Sequence, residues 1–470
     1  QWTLNPLVLG SIPRRPIYHK RFRDTHLKKI YTVIHMNQIN NKKLGPIYLM
    51  PGVGRINALS FFPVALLNTS VFAFMNFMQP YVLEEHLGIA RQIQGAVVGS
   101  ITTIQEIIIL ALAALMGAFA DKVGRRPVFS IGLILMAIAF FCFPLVTSLY
   151  QLYMVRALSA VAVAAASTML IIYTGDYPQE RSRAKWTGFM ALFQGAGVTI
   201  TSALLVKMPA TLTERGFDPI EAGTYTVWVG TLICLITAVV VFIFMKPGLK
   251  QQEQNKASFK ELLTDGYRAA KKDSRIRLAY FASLAARGDI VVVGLFTFLW
   301  TSRFAIDNGM TIEQGYARGA TIVPVIASTV LVTAPIFGFI MDRIDRVYGI
   351  MIAFFLASLG YLAMGLVEDP MSFNVIPAAI LLGMGEGACV ISSTTLIGKT
   401  APVAIRGTVF GAFAMCGAIG QMIAGGFGGF LFDYIYTGPY LLMGFLNFTV
   451  LLLAIYTWHT RRKQGADKNV

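Results

Sequence analysis

Charged side chains are scarce in this sequence: Asp, Glu, Lys and Arg together make up 14% of its 470 residues. A soluble protein carries roughly 25% charged residues, so this shortage argues against a soluble domain. Cysteine is also scarce, and the four cysteines all lie inside apolar segments. Such cysteines behave as small buried hydrophobic residues, so neither a disulfide framework nor a zinc site is expected.

Motifs of nucleotide, cofactor and nucleophile chemistry are missing as well. The sequence contains no Walker loop, no dinucleotide fingerprint and no nucleophile elbow, and its five histidines have no metal-ligand spacing. We therefore expect no enzyme activity, no cofactor and no metal site. An ATP-driven pump is excluded on the same grounds.

Apolar residues, at 55%, dominate what is present. They form twelve blocks of about 20 residues, the length that crosses roughly 30 Å of hydrocarbon as a helix. Helices satisfy their own backbone hydrogen bonds in lipid, so we predict an all-α integral membrane protein. The predicted spans 1 to 12 cover residues 57–79, 96–119, 128–147, 149–173, 186–206, 223–245, 278–302, 319–341, 347–367, 374–398, 407–431 and 438–459.

The net charge of +16 is distributed loop by loop. If both termini are cytoplasmic, 33 of the 40 Lys and Arg residues fall in segments on the inner side. This bias predicts a multi-pass protein of an inner or plasma membrane with both termini in the cytoplasm. A nucleic-acid surface would need one contiguous basic patch, so we expect no nucleic-acid partner.

The spans fall into two groups of six. We predict a basic cytoplasmic tail over residues 1–55, a first bundle over 56–245, a linker over 246–277, a second bundle over 278–460 and a tail over 461–470. Residues 1–35 precede Met36 and are interpreted as an upstream or dispensable segment. A role at the membrane surface is the alternative for this basic tail. Within the linker, Phe259 to Lys272 is predicted to form a short amphipathic helix.

An internal repeat links the two groups. "GAFADKVGRRPVF" after span 2 is echoed by "GFIMDRIDRVYG" after span 8, which places Asp121 and Asp342 at an offset of 221 residues. Arg183 before span 5 and Arg406 before span 11 are offset by 223. Two halves repeated with the same orientation are typical of parallel-repeat transporters.

The loop between spans 2 and 3 has its own physical logic. Gly117 permits close helix approach, and Gly124 allows a tight turn. Asp121 lies at a helix C-terminus, where a negative charge is unfavourable, so it needs a cation nearby. The candidate cations are Arg125, Arg126, Arg183 and Arg406.

This loop resembles the loop 2–3 signature of the major facilitator superfamily, Gly-x-x-x-Asp-x-x-Gly-Arg-Arg. The resemblance implies two six-helix bundles around a central cavity lined by spans 1, 4, 7 and 10. It also implies that the loop pins the halves together on the cytoplasmic side when the transporter faces outward. The gating partners would then be Arg183, Asp342, Arg343 and Arg406. Alternatively, the cluster only sets the orientation through its positive charge.

Five ionisable residues lie inside the predicted spans: Glu106, Arg156, Arg287, Asp289 and Glu386. Each costs about 2.5–3.5 kcal/mol on insertion scales unless it is paired or hydrated, so we assign them to proton and substrate coupling. The sharpest hypothesis is an ion pair between Arg287 and Glu386, with Glu386 as the carboxylate that binds the proton. Static salt bridges that specify bundle packing are the alternative.

Span 4 and span 5 bear on the subclass. Arg156 resembles the Arg-x-x-x-Gly signature of span 4 in drug:proton antiporters, although Ala160 replaces the glycine. Span 5 lacks the proline of the antiporter signature. Polar and aromatic candidates for the cavity wall are Asn68, Asn76 and Trp300.

These features together predict a monomeric, proton-driven secondary transporter of a small organic solute. Export of amphipathic or drug-like compounds by proton antiport is the first hypothesis. Uptake of a metabolite or of an organic anion, which Arg156 or Arg287 would hold, is the second. A receptor or assembly protein on the same fold, which does not transport, belongs to another class and predicts broken gating residues.

Overall fold

A computed structural model describes residues 43–247, 259–402 and 405–466. Twelve helices in these ranges are long and apolar enough to cross a membrane, which confirms the predicted fold class. We keep the names spans 1 to 12 for them. Their helices are Arg55–Tyr81, Gln94–Val123, Arg125–Cys142, Leu149–Asp176, Arg183–Ile200, Pro219–Phe244, Ser274–Val291 with Thr297–Asp307, Ile312–Met341, Arg346–Gly365, Val375–Thr400, Arg406–Tyr434 and Gly438–Ala466.

Short irregular segments lengthen several spans. π-Helical turns continue spans 1 and 5 and join the two parts of span 7, and single 3₁₀ turns adjoin spans 2, 3 and 5. The π-helical turn within span 7 includes Gly294 and borders the centre of the molecule. The π-helical turns are Val82–His86, Thr201–Leu205 and Val292–Phe296, and the 3₁₀ turns are Arg91–Ile93, Phe143–Leu145 and Glu180–Ser182.

The helix boundaries follow local capping chemistry. The side chains of Ser148, Asp218 and Asp345 accept hydrogen bonds from backbone N–H groups in the first turn of spans 4, 6 and 9. Thr311 and Gln314 form a reciprocal capping box at the start of span 8. Spans 2 and 3 are separated by Gly124 alone, whose φ of 107° favours glycine.

The helices pack in two equivalent bundles. In the first half, span 1 packs on spans 5 and 6, span 3 on spans 4 and 6, and span 2 on span 4. The second half repeats this pattern with span 7 on spans 11 and 12, span 9 on spans 10 and 12, and span 8 on span 10. Between the halves, span 2 packs on span 11 and span 5 on span 8. The internal repeat seen in the sequence is therefore a repeat of packing.

The two ends of the molecule differ in how the halves meet. We call the end that carries Gly124 the loop face and the opposite end the far face. Near the loop face, each half has a separate apolar core, one around Phe61 and Trp186 and one around Phe354 and Leu396. Toward the far face, a single core joins both halves and contains Phe77, Phe298 and Tyr316. The halves are thus sealed together at the far face.

The segment just before span 1 forms a hairpin that is hydrogen-bonded to the loop between spans 4 and 5. Strands β1 (Lys43–Leu44) and β2 (Ile47–Tyr48) form an antiparallel hairpin. The amide of Gln179 donates to the carbonyl of Tyr48 (2.8 Å), and the amide of Met50 donates to the carbonyl of Tyr177 (2.9 Å). Burial raises the pKa of Tyr177 to about 12. Within the predicted tail, residues 43–54 therefore belong to the folded first half, while residues 1–42 lie outside the described residues.

Two further helices lie outside the spans. The helix predicted over Phe259 to Lys272 is present, with the same bounds. It packs against span 11, where Gly266 lies close to the side chain of Ala412. A second short helix, Met208–Glu214, follows span 5 and was not predicted.

Candidate functional site

A central cavity of about 390 Å³ lies between the two halves. Spans 1, 4, 7 and 10 line it, as the resemblance implies, and spans 2, 3, 5, 8 and 11 contribute as well. Most of the wall is apolar and includes Phe72, Met136, Val163 and Ile326. Charged groups are few in this wall: Glu106, Arg156 and Glu386.

Arg156 of span 4 is held by neutral partners. Its Nη2 donates to Asn76 Oδ1 (2.6 Å) and to Gln105 Oε1 (2.8 Å). The residue is only 3% exposed, and its Nε is buried without a hydrogen-bond partner among the described residues. The guanidinium is therefore oriented by two amide oxygens, but its positive charge is not neutralised by them.

Glu106 of span 2 and Arg287 of span 7 lie near enough for their charges to influence each other. Glu106 is buried in the cavity wall. The stem of Arg287 lies against Gly417 of span 11, where a Cβ atom would come within 2.6 Å of Arg287 Cδ. The missing side chain at position 417 leaves room for the arginine on this side of span 7.

Glu386 of span 10 lines the cavity from the second half. Its Oε2 is buried without a hydrogen-bond partner among the described residues. The predicted ion pair with Arg287 is not formed in this conformation, in which both side chains are described. The physical reason is that the side-chain stem of Arg287 packs against Gly417 of span 11.

Two glycines just before Glu386 in span 10 fix its position. A Cβ atom on Gly383 would lie 2.7 Å from the carbonyl oxygen of Ile326 on span 8, and one on Gly385 would meet the backbone of Ala357 on span 9. Span 10 therefore packs backbone to backbone against both neighbours. This close packing holds the carboxylate of Glu386 at the cavity.

Of the other residues predicted at the cavity, some line it and others do not. Asn76 lines the cavity, as predicted. Asn68 is buried but outside the lining residues, and Trp300 packs against Tyr440 with ring centroids 5.7 Å apart. The side chain of Asp289 lies outside the described residues. Gln105 and Ser159 also line the cavity but were not predicted to do so. In the sequence, Gln105 directly precedes Glu106, and Ser159 lies three residues after Arg156.

The loop motif is anchored inside the first half. Arg125 forms an ion pair with Asp176 at the end of span 4, and its amide donates to the carbonyl of Pro247 (3.1 Å). Arg125 lies near enough to Asp121 for their charges to interact, so it stays one of the candidate cations for this carboxylate. The guanidinium of Arg126 lies 5.0 Å from the ring centroid of Phe242. The role of Asp176 as the ion-pair partner of Arg125 was not predicted from the sequence.

The predicted gating partners make contacts within their own halves. Arg183 pairs with Glu180 (2.7 Å), Arg406 donates to the carbonyl of Gly398 (3.4 Å), and Arg343 stacks on Phe339. The amide of Asp342 continues the helix by donating to the carbonyl of Gly338. This arrangement is the one expected when the halves are apart at the loop face. The gating role itself concerns another conformation and stays a prediction.

Replacing Arg125 with glutamine is expected to lower the thermal stability of the purified protein. The change leaves Asp176 without its cation, and breaking a fully buried ion pair costs about 3–5 kcal/mol. Because the Asp176 side chain is 27% exposed, we expect a smaller loss. The measurement is thermal unfolding in detergent.

Arg126→Gln provides the matched control, because it removes only the contact with Phe242 and should change the unfolding temperature less. Adding Asp176→Asn to Arg125→Gln should recover part of the loss. Equal unfolding temperatures for Arg125→Gln and the wild type would contradict the structural role of this pair.

Polar contacts join the halves at the far face. Asp433 at the end of span 11 accepts hydrogen bonds from the amides of Gly95 (2.7 Å) and Ala96 (2.8 Å). These amides belong to the first turn of span 2, where N–H groups lack helical partners and attract negative charge. Arg303 of span 7 donates to the carbonyl of Arg91 (2.5 Å). These contacts were not predicted, because they join residues more than 200 positions apart.

Glycines bring spans 2 and 11 into direct backbone contact beside these polar groups. A Cβ atom on Gly99 would meet the carbonyl group of Gly425, and one on Gly429 would meet that of Gly95. The spacing of four residues in each span places both glycines on one helix face. The density of glycine in span 11 was noted in the sequence, but its partner in span 2 was not.

Comparisons with known proteins agree with this architecture. The model of the Major Facilitator Superfamily matches residues 61–425 and 329–470. The solved structure of the nucleoside transporter NupG superimposes with a TM-score of 0.68 at 16% identity and covers 85% of this chain and 98% of that one. At this identity, the likeness concerns the fold.

Curated relatives come from several bacteria. The magnetosome protein MamH of Paramagnetospirillum magneticum is 25% identical over 414 residues, which are 86% of this chain and 92% of MamH. The magnetosome protein MamZ of Magnetospirillum gryphiswaldense is 24% identical over 87% of this chain, which spans 61% of the length of MamZ. The tetracycline resistance protein, class D, of Salmonella ordonez is 24% identical over 67% of this chain and 74% of that protein.

Proposed function

Because the chain belongs to the major facilitator superfamily of secondary transporters, we propose that it couples the movement of a small organic solute to protons through Glu386. The observation that carries this proposal is the carboxylate of Glu386 in the cavity wall, with one oxygen buried and unpartnered among the described residues. An unpaired charge inside a membrane protein is costly, and ionisable residues there mark ion and proton pathways. A proton on Oε2 would remove that charge.

In this conformation, a proton on Glu386 would be released toward the loop face and not toward the far face. The far face is sealed by a core that joins the halves, whereas the loop-face cores are separate. With the predicted orientation, the loop face is cytoplasmic and this is an inward-facing state. In the outward-facing state, the loop motif would then hold the halves together through Arg183, Asp342, Arg343 or Arg406.

Two directions of transport follow from different observations. Export by proton antiport is favoured by the antiporter-like loop and Arg156, and by the similarity to a tetracycline resistance protein. Uptake of an organic anion together with protons is favoured by Arg156, whose charge has only amide partners. The alternative of a receptor that does not transport is not favoured, because the loop motif is intact and charged groups line the cavity.

The location is part of the same proposal. We place the protein in an inner membrane with both termini in the cytoplasm, on the basis of its charge distribution. Because the relatives MamH and MamZ are named magnetosome proteins, a magnetosome membrane is a second proposed location. Reporter fusions at both termini and membrane fractionation test orientation and location separately.

Glu386→Gln is expected to abolish coupled proton movement. Inside-out vesicles with an imposed proton gradient are supplied with cationic drugs or organic acids while the internal pH is followed. In the wild type, an exported compound releases protons from the vesicle interior, whereas a symported compound carries protons with it. The variant cannot bind the proton and should show neither response.

Glu106→Gln is the matched comparison, because Glu106 is the other carboxylate among the residues that line the cavity. We expect it to weaken proton movement without abolishing it. Full proton coupling in Glu386→Gln would refute the assignment, and its loss in Glu106→Gln alone would transfer the role to span 2. Substrate exchange without a gradient should survive in Glu386→Gln, which distinguishes lost coupling from a misfolded protein.

A further inference from the structure

We infer that the transported solute is an organic anion whose carboxylate binds the guanidinium of Arg156 while its apolar part lies against the cavity wall. This inference deepens the proposed function by naming the substrate class. It rests on four features of span 4 and its neighbours: burial, the missing counter-charge, the remaining hydrogen-bond capacity and the composition of the wall.

Arg156 forms no ion pair with a carboxylate among the described residues. The side-chain partners of this guanidinium are the neutral amide oxygens of Asn76 and Gln105. Arg125, which is also buried, differs in this respect, because it forms an ion pair with Asp176. A buried cation left without an anion is strongly unfavourable, so a ligand that supplies the anion gains that interaction.

The guanidinium has donors to spare. Asn76 and Gln105 both accept from Nη2, and the buried Nε has no acceptor among the described residues. The hydroxyl of Ser159 donates to the carbonyl of Arg156 itself (2.7 Å) and is already engaged. Because a guanidinium presents its donors as a planar fork, it suits the two oxygens of a carboxylate.

The cavity wall distinguishes an organic anion from an inorganic one. Phe72 and Met75 of span 1 and Met136 of span 3 border the same cavity as Arg156. An anion such as chloride or phosphate would leave this apolar surface uncovered. A volume of about 390 Å³ admits a small organic acid whose hydrocarbon part covers it.

The test measures binding by thermal unfolding of the purified full-length protein at fixed pH and ionic strength. The probes are benzoate and hexanoate, their neutral amides benzamide and hexanamide, and the chloride and phosphate salts. At saturation, the carboxylates should raise the apparent unfolding temperature by roughly 2 °C or more. The amides and the inorganic anions should leave it unchanged.

Two variants test the site itself. Arg156→Gln removes the cation and should abolish the shift produced by the carboxylates. Asn76→Asp supplies an internal carboxylate next to Nη2, so it should raise the unfolding temperature without ligand and also abolish the shift. The second variant keeps the arginine, so the test survives if Arg156→Gln does not fold. Arg318→Gln is the matched control, because Arg318 binds the carbonyls of Pro370 and Ser372 within the second half.

Several outcomes would overturn the inference. These are amides as effective as carboxylates, a shift that persists in Arg156→Gln or Asn76→Asp, or no shift in the wild type. Equal shifts with chloride or phosphate would replace the organic anion with an inorganic one. Glu386→Gln separates the two proposals: it should lose proton coupling yet keep the carboxylate-induced shift. Loss of binding with intact proton coupling would refute the anion site alone.

Discussion

Replacing Gly99 with leucine is expected to abolish transport by keeping the far face from closing. Spans 2 and 11 meet there backbone to backbone, and a Cβ atom on Gly99 would lie 3.1 Å from the carbonyl carbon of Gly425 and 3.2 Å from the carbonyl oxygen of Gly426. Because these atoms belong to the backbone of span 11, a larger side chain at position 99 can be accommodated only if spans 2 and 11, and with them the two halves, move apart. Overpacking costs about 1–3 kcal/mol, which shifts a conformational equilibrium roughly 5- to 150-fold.

Cysteine labelling measures this shift directly. Val98 is completely buried in the core that joins the halves, so a cysteine at this position reports opening of the far face. With the four native cysteines replaced by alanine, Val98→Cys should react slowly with an impermeant maleimide supplied at the far face. Adding Gly99→Leu should accelerate labelling and remove solute transport.

A leucine at Gly175 serves as the control, because a Cβ atom there has nothing within 4 Å. This variant should keep both transport and slow labelling. If Gly99→Leu transports normally, the contact between spans 2 and 11 is not required for closure. If labelling is unchanged while transport is lost, the defect lies elsewhere in the cycle.

Replacing Gly360 with leucine is expected to prevent folding of the second half. Span 9 crosses span 10 so closely that a Cβ atom on Gly360 would lie 2.5 Å from Leu382 Cα and 2.6 Å from its backbone nitrogen. Helices in lipid gain their association from such close packing. A leucine therefore forces spans 9 and 10 apart and removes the support of Glu386. The measurement is the yield of monodisperse protein after membrane extraction.

Gly398→Leu is the matched control in span 10, because its Cβ atom would only reach Phe410 at 4.0 Å. We expect a yield close to that of the wild type for this variant and almost none for Gly360→Leu. A normal yield and unfolding temperature for Gly360→Leu would show that the two spans can separate without loss of the fold.

Features that depend on local chemistry were predictable from the sequence. The twelve spans follow from apolar length, and the helix Phe259–Lys272 follows from its own amphipathic pattern. The turn at Gly124 follows from glycine between two charged helix ends. Asn76 and Arg156 were expected at the cavity, because polar groups inside apolar spans need a polar environment.

Features that depend on helix rotation and distant partners were not predictable. Arg287 and Glu386 lie at similar depths, but depth does not say which way a side chain points. In the structure, Gly417 leaves room for Arg287 on one side of span 7, and the arginine packs there. Trp300 shares a span with Arg287, yet it packs against Tyr440 instead of lining the cavity. Each outcome depends on residues more than 100 positions away.

Apolar length, charge distribution and repeats can be read along the chain, so they were sufficient to predict an all-helical membrane protein built from two related halves. The places where the halves touch, and the charges that lack a charged partner among the described residues, became visible only in the assembled bundle. Those outcomes depend on the rotation and packing of helices, which glycines such as Gly99 and Gly417 set by removing side chains at the contacts. That Arg156 has amide partners and no carboxylate partner in the described part of the chain is therefore a property of the assembled bundle and not of span 4 alone.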